Sequence, residues 1–100
     1  MTNSPPRNVL EVADLVERLI EEADQKVGKY HDAPDTWHAR HNRAMVDIAD
    51  QLTGGYAAII RPSWDGARVR MLGIAASSTS GVRQALRNWV AAARRREGGQ

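Results

Sequence analysis

Apolar residues recur along the first third of the chain at Val9, Val12, Ala13, Val16, Leu19, Ile20, Ala23 and Val27, the spacing of three and four that lines one face of a helix. The positions between them carry Glu11, Asp14, Glu17, Glu21, Glu22 and Asp24. These acids form a solvent-facing side, offset in part by Arg18 and Lys26, each four residues beyond an acid. Asn8 stands where an N-cap belongs, with Glu11 in capping-box register, and Gly28 stands where the helix must end. A helix from Asn8 to Gly28 is therefore predicted, preceded by a loose arm over residues 1–7.

The turn-prone stretch Tyr30-His31-Asp32-Ala33-Pro34-Asp35 precedes a second periodic set at Trp37, His41, Ala44, Met45, Ile48 and Leu52, closed by Gly54-Gly55. This predicts a helix from about Pro34 to Leu52. The period then shortens. The β-prone runs 56–61 and 67–72 flank Pro62-Ser63-Trp64-Asp65-Gly66, where Asp-Gly signals a hairpin and Pro62 marks the place for the first strand to stop. Ser77-Ser78-Thr79-Ser80-Gly81 leads into Val82, Ala85, Leu86, Trp89, Val90 and Ala93. That is a third amphipathic helix, with Thr79 or Ser80 as its N-cap, fraying near Arg96 before a disordered tail at 98–100.

The predicted order is α-α-β-β-α, a single small α+β domain over residues 8–97. Two strands alone are marginal in water, so the hairpin must rest on the helices. The expected core is Val16, Leu19, Ile20, Ile48, Ile60, Leu86, Trp89 and Val90, the residues at which periodicity and size agree.

One hundred residues without cysteine provide one modest core, and they exclude a disulfide framework, a thiolate metal site and a cysteine nucleophile. No apolar run approaches the roughly 18 to 20 residues of a membrane helix, and Met1 to Pro6 lack the order of a secretory signal, so a cytoplasmic protein with no membrane partner is expected. The richness in Arg and Ala is the usage of a GC-rich genome, that of a high-GC bacterium or one of its phages. What matters is where the charge lies. Six basic residues face ten acidic ones up to Leu52, whereas beyond it eight arginines face only Asp65 and Glu97. Such a split reads either as halves that attract each other, within one chain or in a homodimer, or as a basic surface kept for an anionic partner.

Three groupings carry candidate chemistry. His38 and His41, one helical turn apart, with Asp35 or His31 nearby, are the candidate metal ligands, although their spacing matches no familiar zinc site and His41 falls in the apolar series. Glu17, Glu21 and Glu22 on the first helix, with Asp47 and Asp50 on the second, form a carboxylate grouping of the kind that holds Mg²⁺, but the apolar stripe turns Glu21 and Glu22 toward water. The third grouping is basic. Arg83, Arg87 and Arg94 form a stripe on the last helix with Gln84 and Asn88 beside them, and the hairpin adds Arg61, Arg68 and Arg70. Arginines suit phosphates, amides suit base edges, and Ser80 lies near a helix N-terminus where anions bind. Trp64, in the hairpin loop, is a stacking platform, an interface anchor or a cover over the hairpin.

With no serine-histidine-acid ordering and no Walker or dinucleotide loop, the expectation is a non-enzymatic binding protein without a cofactor. Its partner is nucleic acid or the acidic surface of a nucleic-acid-handling complex. Size and charge would suit a phage or mobile-element accessory protein, including an inhibitor such as an anti-CRISPR. The alternative is a small metal-dependent hydrolase built on the histidines or carboxylates.

Overall fold

A computed structural model of the chain describes residues 8–29 and 34–97. The predicted arm at 1–7, the tail at 98–100, and His31 and Asp32 lie outside the described residues. The order is α1 (Val9–Val27), α2 (Pro34–Tyr56), β1 (Ile59–Ser63), β2 (Gly66–Met71), β3 (Ile74–Ser78) and α3 (Val82–Glu97). It is an α+β domain as expected, with three strands where the sequence reading has two.

The ends of α1 follow their local chemistry. Asn8 Oδ1 accepts the Glu11 N–H at 2.8 Å, and Gly28, at φ 79°, donates its N–H to the Asp24 carbonyl. The start of α2 is held to this end of α1 by the Trp37 indole N–H, which donates to the Gly28 carbonyl at 3.0 Å. The other end of α2 departs from expectation. The helix runs through Gly54 and Gly55 to Tyr56, and the reversal falls at Ala57, φ 56°, with the Ala58 N–H bonded to the Leu52 carbonyl at 3.3 Å. Neither glycine takes up a left-handed angle, so neither terminates the helix.

β1, β2 and β3 form an antiparallel meander with β2 in the centre. β1 begins at Ile59, not Tyr56, and does not stop at Pro62, which pairs with Ala67. The Ser63↔Gly66 pair closes a two-residue hairpin, and counting outward from it puts Pro62 in the set whose backbone nitrogens point away from β2. On an edge strand that nitrogen needs no partner, so proline is tolerated. The second turn is Leu72-Gly73, with both residues at positive φ (54° and 77°), the backbone of a type I′ turn. It returns the chain as β3, in register Met71↔Ile74, Val69↔Ala76 and Ala67↔Ser78. Gly66 is required by its surroundings: at φ 142°, a Cβ there would collide with the Ser78 carbonyl oxygen.

The helices cover one face of the sheet only. α3 lies against β2 and β3, α1 packs on α3, and α2 packs on α1 while touching β1. The core therefore runs from Val12, Val16 and Ile20 through Leu86, Trp89 and Val90 to Val69, Met71 and Ile74, with Met45, Ile48 and Leu52 closing the α2 side. Of the expected core residues, Leu19 and Ile60 are only half-buried at its margin. Trp89 is fully enclosed, and its indole N–H lies 3.1 Å from both the Met71 and the Ile74 carbonyls. One side chain thus fills the core and pins the β2–β3 turn to α3. The N-cap of α3 is Gly81, whose carbonyl receives the Ala85 N–H, and not Ser80 or Thr79.

Candidate functional site

Two of the three arginines in the α3 stripe, Arg83 and Arg94, are paired, whereas Arg87 is exposed with no ion pair or hydrogen bond among the described residues. Packing α1 against α3 brings the acidic and basic helices together, and Arg83 clasps Asp24 through two bonds of 2.6 and 3.0 Å. Arg94 bridges Asp14 and Glu17, each at 2.9 Å. The bond and charge of Arg94, with a smaller contribution from Arg87, hold the Glu17 carboxyl below its ordinary value, and the carboxylates in turn keep Arg83 and Arg94 firmly protonated. The amides are committed too: Gln84 Nε2 donates to Asn88 Oδ1, and Asn88 Nδ2 donates to the Ser77 carbonyl at 2.9 Å. Ser80 is tied into a turn by its N–H, which donates to Ser78 Oγ.

The hairpin arginines behave differently. Strand alternation turns Ala67, Val69 and Met71 into the core and leaves Arg68 and Arg70 on the outer face of β2. The register then sets Arg61 directly opposite Arg68, with Ser77 beyond, and Ile59 opposite Arg70, with Ala75 beyond. Among the described residues none of these three arginines has an ion pair or a hydrogen bond. Two shallow hollows flank the Arg61–Arg68 row. One, of about 520 Å³, lies over Ile59, Arg70 and Ala75, and the other, of about 590 Å³, lies toward Ser63, Asp65 and Thr79. A third hollow, of about 310 Å³ between α1 and α2, has an apolar floor at Leu19, Ala23 and Ile48 but a rim of mixed sign.

Ser77, Ala75 and Thr79 belong to this face only because β3 exists, and the sequence reading, lacking β3, misses them. The available signal was the apolar alternation Ile74, Ala76 behind a glycine; its weakness is that alanine and serine carry little strand preference. Trp64 caps the same ribbon. It occupies the two-residue turn with Asp65 and is 97% exposed, so it covers nothing in the hairpin. The turn beneath it is braced by Ser63 Oγ, which donates to the Asp65 carboxylate at 2.7 Å.

The histidine corner is organised by an aromatic ring. His41 stacks on Trp37 with centroids 4.8 Å apart and planes 11° from parallel, and His38 meets the same indole edge-on at 5.2 Å. Burial, and next the charge of Arg83, push the His41 pKa below its ordinary 6.5. Among the described residues no three histidine, aspartate or glutamate side chains converge on a common point, so Asp35, His38 and His41 are not brought together as ligands and neither are the carboxylates of α1 and α2. No described helix is long and apolar enough to cross a membrane. No protein family, curated protein or solved structure matches the chain.

Proposed function

We propose that the chain is a non-enzymatic binding protein whose uncovered sheet face holds the phosphate backbone of a nucleic acid. The observation that carries this reading is the placement of Arg61 directly opposite Arg68, with Arg70 on the same face, all exposed and none ion-paired among the described residues. Like charges directly opposite each other on a sheet destabilise it. Asp14, Glu17 and Asp24 pair with Arg83 and Arg94, and among the described residues no acid pairs with this face. A surface that keeps three guanidinium groups uncompensated suits a polyanion, and phosphate takes the guanidinium fork in its preferred two-bond geometry.

Direct contact with nucleic acid is favoured over inhibition of a machine that handles it. An inhibitor such as an anti-CRISPR that occupies a cationic channel docks through acidic surface, and the uncovered sheet face has the opposite sign. The reading does not require a homodimer, because the charge split that suggested one is neutralised between α1 and α3 of a single chain. The paired Arg94 and Glu17 and the ring-stacked histidines offer nothing in favour of a metal-dependent hydrolase.

The test is fluorescence anisotropy with labelled oligonucleotides from ~50 to ~200 mM salt. Binding should weaken steeply with salt, and Arg61→Gln, Arg68→Gln and Arg70→Gln should each reduce the log–log slope by about 0.7 to 0.9, as expected for one lost phosphate contact. Arg83→Ala, which removes an arginine already committed to Asp24, should leave the slope unchanged. Failure of every oligonucleotide to bind at low salt, with polyglutamate bound instead, would assign the face to an acidic protein and overturn the reading.

A further inference from the structure

We infer that the nucleic acid is single-stranded, with Trp64 stacking on an unpaired base while Arg61, Arg68 and Arg70 hold the neighbouring phosphates; this rests on the reading just given. The three tryptophans of the chain divide sharply. Trp89 is enclosed and Trp37 half-buried, and each has its indole N–H bonded to backbone carbonyls. Trp64, 97% exposed, packs on nothing among the described residues. A large flat apolar ring held wholly in water at the tip of a cationic ribbon has no structural task there, and an exposed aromatic beside arginines is the pairing that grips bases and backbone together.

The local charge says which part of a nucleotide reaches the tip. Asp65 adjoins Trp64 and is anchored by Ser63, so a fixed carboxylate sits at the turn and repels phosphate. Phosphates belong further down the ribbon, where Arg61 lies three residues before the tryptophan, roughly 10 Å along the strand. That distance is bridged by a couple of nucleotides of an extended strand, with a base at the tip and phosphates over the arginines.

Two features weigh against a duplex. Inside a duplex the faces of the bases are covered by their neighbours, so Trp64 would have to wedge a step apart, whereas an unpaired base presents its face without that cost. The major groove, about 12 Å wide, admits a helix or a two-stranded ribbon. Here β3 lies alongside β2, and a third strand with its side chains makes the blade too wide to enter.

The experiment uses the full chain with a labelled oligothymidylate about 15 nucleotides long, enough for one site of this size, and a duplex of equal length. The single strand should bind more tightly than the duplex at low salt and should quench tryptophan emission. Trp64→Ala should weaken single-strand binding by about 5- to 100-fold, abolish the quenching and leave the salt slope and duplex binding unchanged. Trp64→Tyr should keep most of the affinity and Trp64→Leu should not, because stacking needs a flat ring and not merely an apolar one. Equal binding of single strand and duplex, or single-strand binding indifferent to Trp64→Ala, overturns this inference and leaves the phosphate-binding reading intact. No binding of either probe by the unsubstituted chain overturns both.

Discussion

His41 shows how one residue takes its properties from three elements. The alternation of α2 places it in the apolar series, but its neighbours are Trp37 from the same helix, Arg83 from α3 and Asp24 from α1. Burial and the Arg83 charge disfavour its proton, Asp24 opposes them, and His38 adds a small push in the same direction as Arg83. In the unfolded chain His41 takes up a proton near its ordinary 6.5, and in the folded chain only at lower pH. Between those two values the unfolded state binds more protons, so stability rises with pH through that window and is lost as pH falls below about 6.5. Urea midpoints measured from about pH 7.5 down to about pH 5 should therefore decline, and His41→Asn should flatten the decline. A profile unchanged by the substitution would place the acid sensitivity elsewhere, with Glu17 the next group in line at lower pH.

Among the elements, the α1–α3 contact joins an apolar stripe to a set of ion pairs. The stripe, with Val12, Val16 and Ile20 against Leu86 and Val90, supplies most of the stabilisation, since exposed pairs contribute only about 0.2 to 1 kcal/mol each. The two arginine sites should nevertheless differ. Arg83 and Asp24 are 32% and 41% exposed and meet through two bonds, whereas Asp14, one partner of Arg94, is 75% exposed. A double-mutant cycle of Arg83→Ala with Asp24→Ala should give a coupling of about 1 kcal/mol, against less than ~0.5 kcal/mol for Arg94→Ala with Asp14→Ala. Couplings of equal size would mean that the two-bond geometry is not kept in solution. Element identity was legible where a period ran for several turns, as in α1 and α3. It was not legible in β3, where Ile74-Ala75-Ala76-Ser77-Ser78 has one β-branched residue and the turn before it puts Leu72 in a left-handed position usually held by Asn, Asp or Gly. The end of α2 misled for the converse reason: glycines that signal a stop were carried through it while Ala57 adopted the strained angle.

At the scale of the molecule the fold separates its charges into a neutralised side and an unbalanced one. α1 and α3 cancel each other, and the sheet, covered by helices on one face only, keeps Arg61, Arg68 and Arg70 on the other. The unbalanced face carries a cost. Arg68→Thr, which removes the charge opposite Arg61 and adds a residue suited to strands, should raise stability by about 0.2 to 1 kcal/mol at low salt. The gain should shrink as salt screens the repulsion. Chemical denaturation at two ionic strengths measures it, and a substitution that destabilises the fold at low salt would show that Arg68 supports the sheet and does not merely burden it. A gain in stability together with the loss of a phosphate contact would make this face a trade of folding energy for binding.

What the sequence by itself determined was local: three helices with their faces, the caps Asn8 and Gly28, the β1–β2 turn and the seat of Trp64 within it. These depend on residues within a few positions of one another, and periodicity reports them directly. Only the tertiary structure decided which arginines are available. Arg83 finds Asp24 across 59 positions and Arg94 finds Glu17 across 77, and nothing in a linear pattern says which of several basic groups will meet the acidic helix. The third strand was settled in the same way, by pairing with β2 rather than by its own preference. Because β3 completes the outer face of the sheet, the candidate site passed from the helix that looked most basic in the sequence, where two of the three stripe arginines are paired, to a surface whose three arginines have no partner among the described residues.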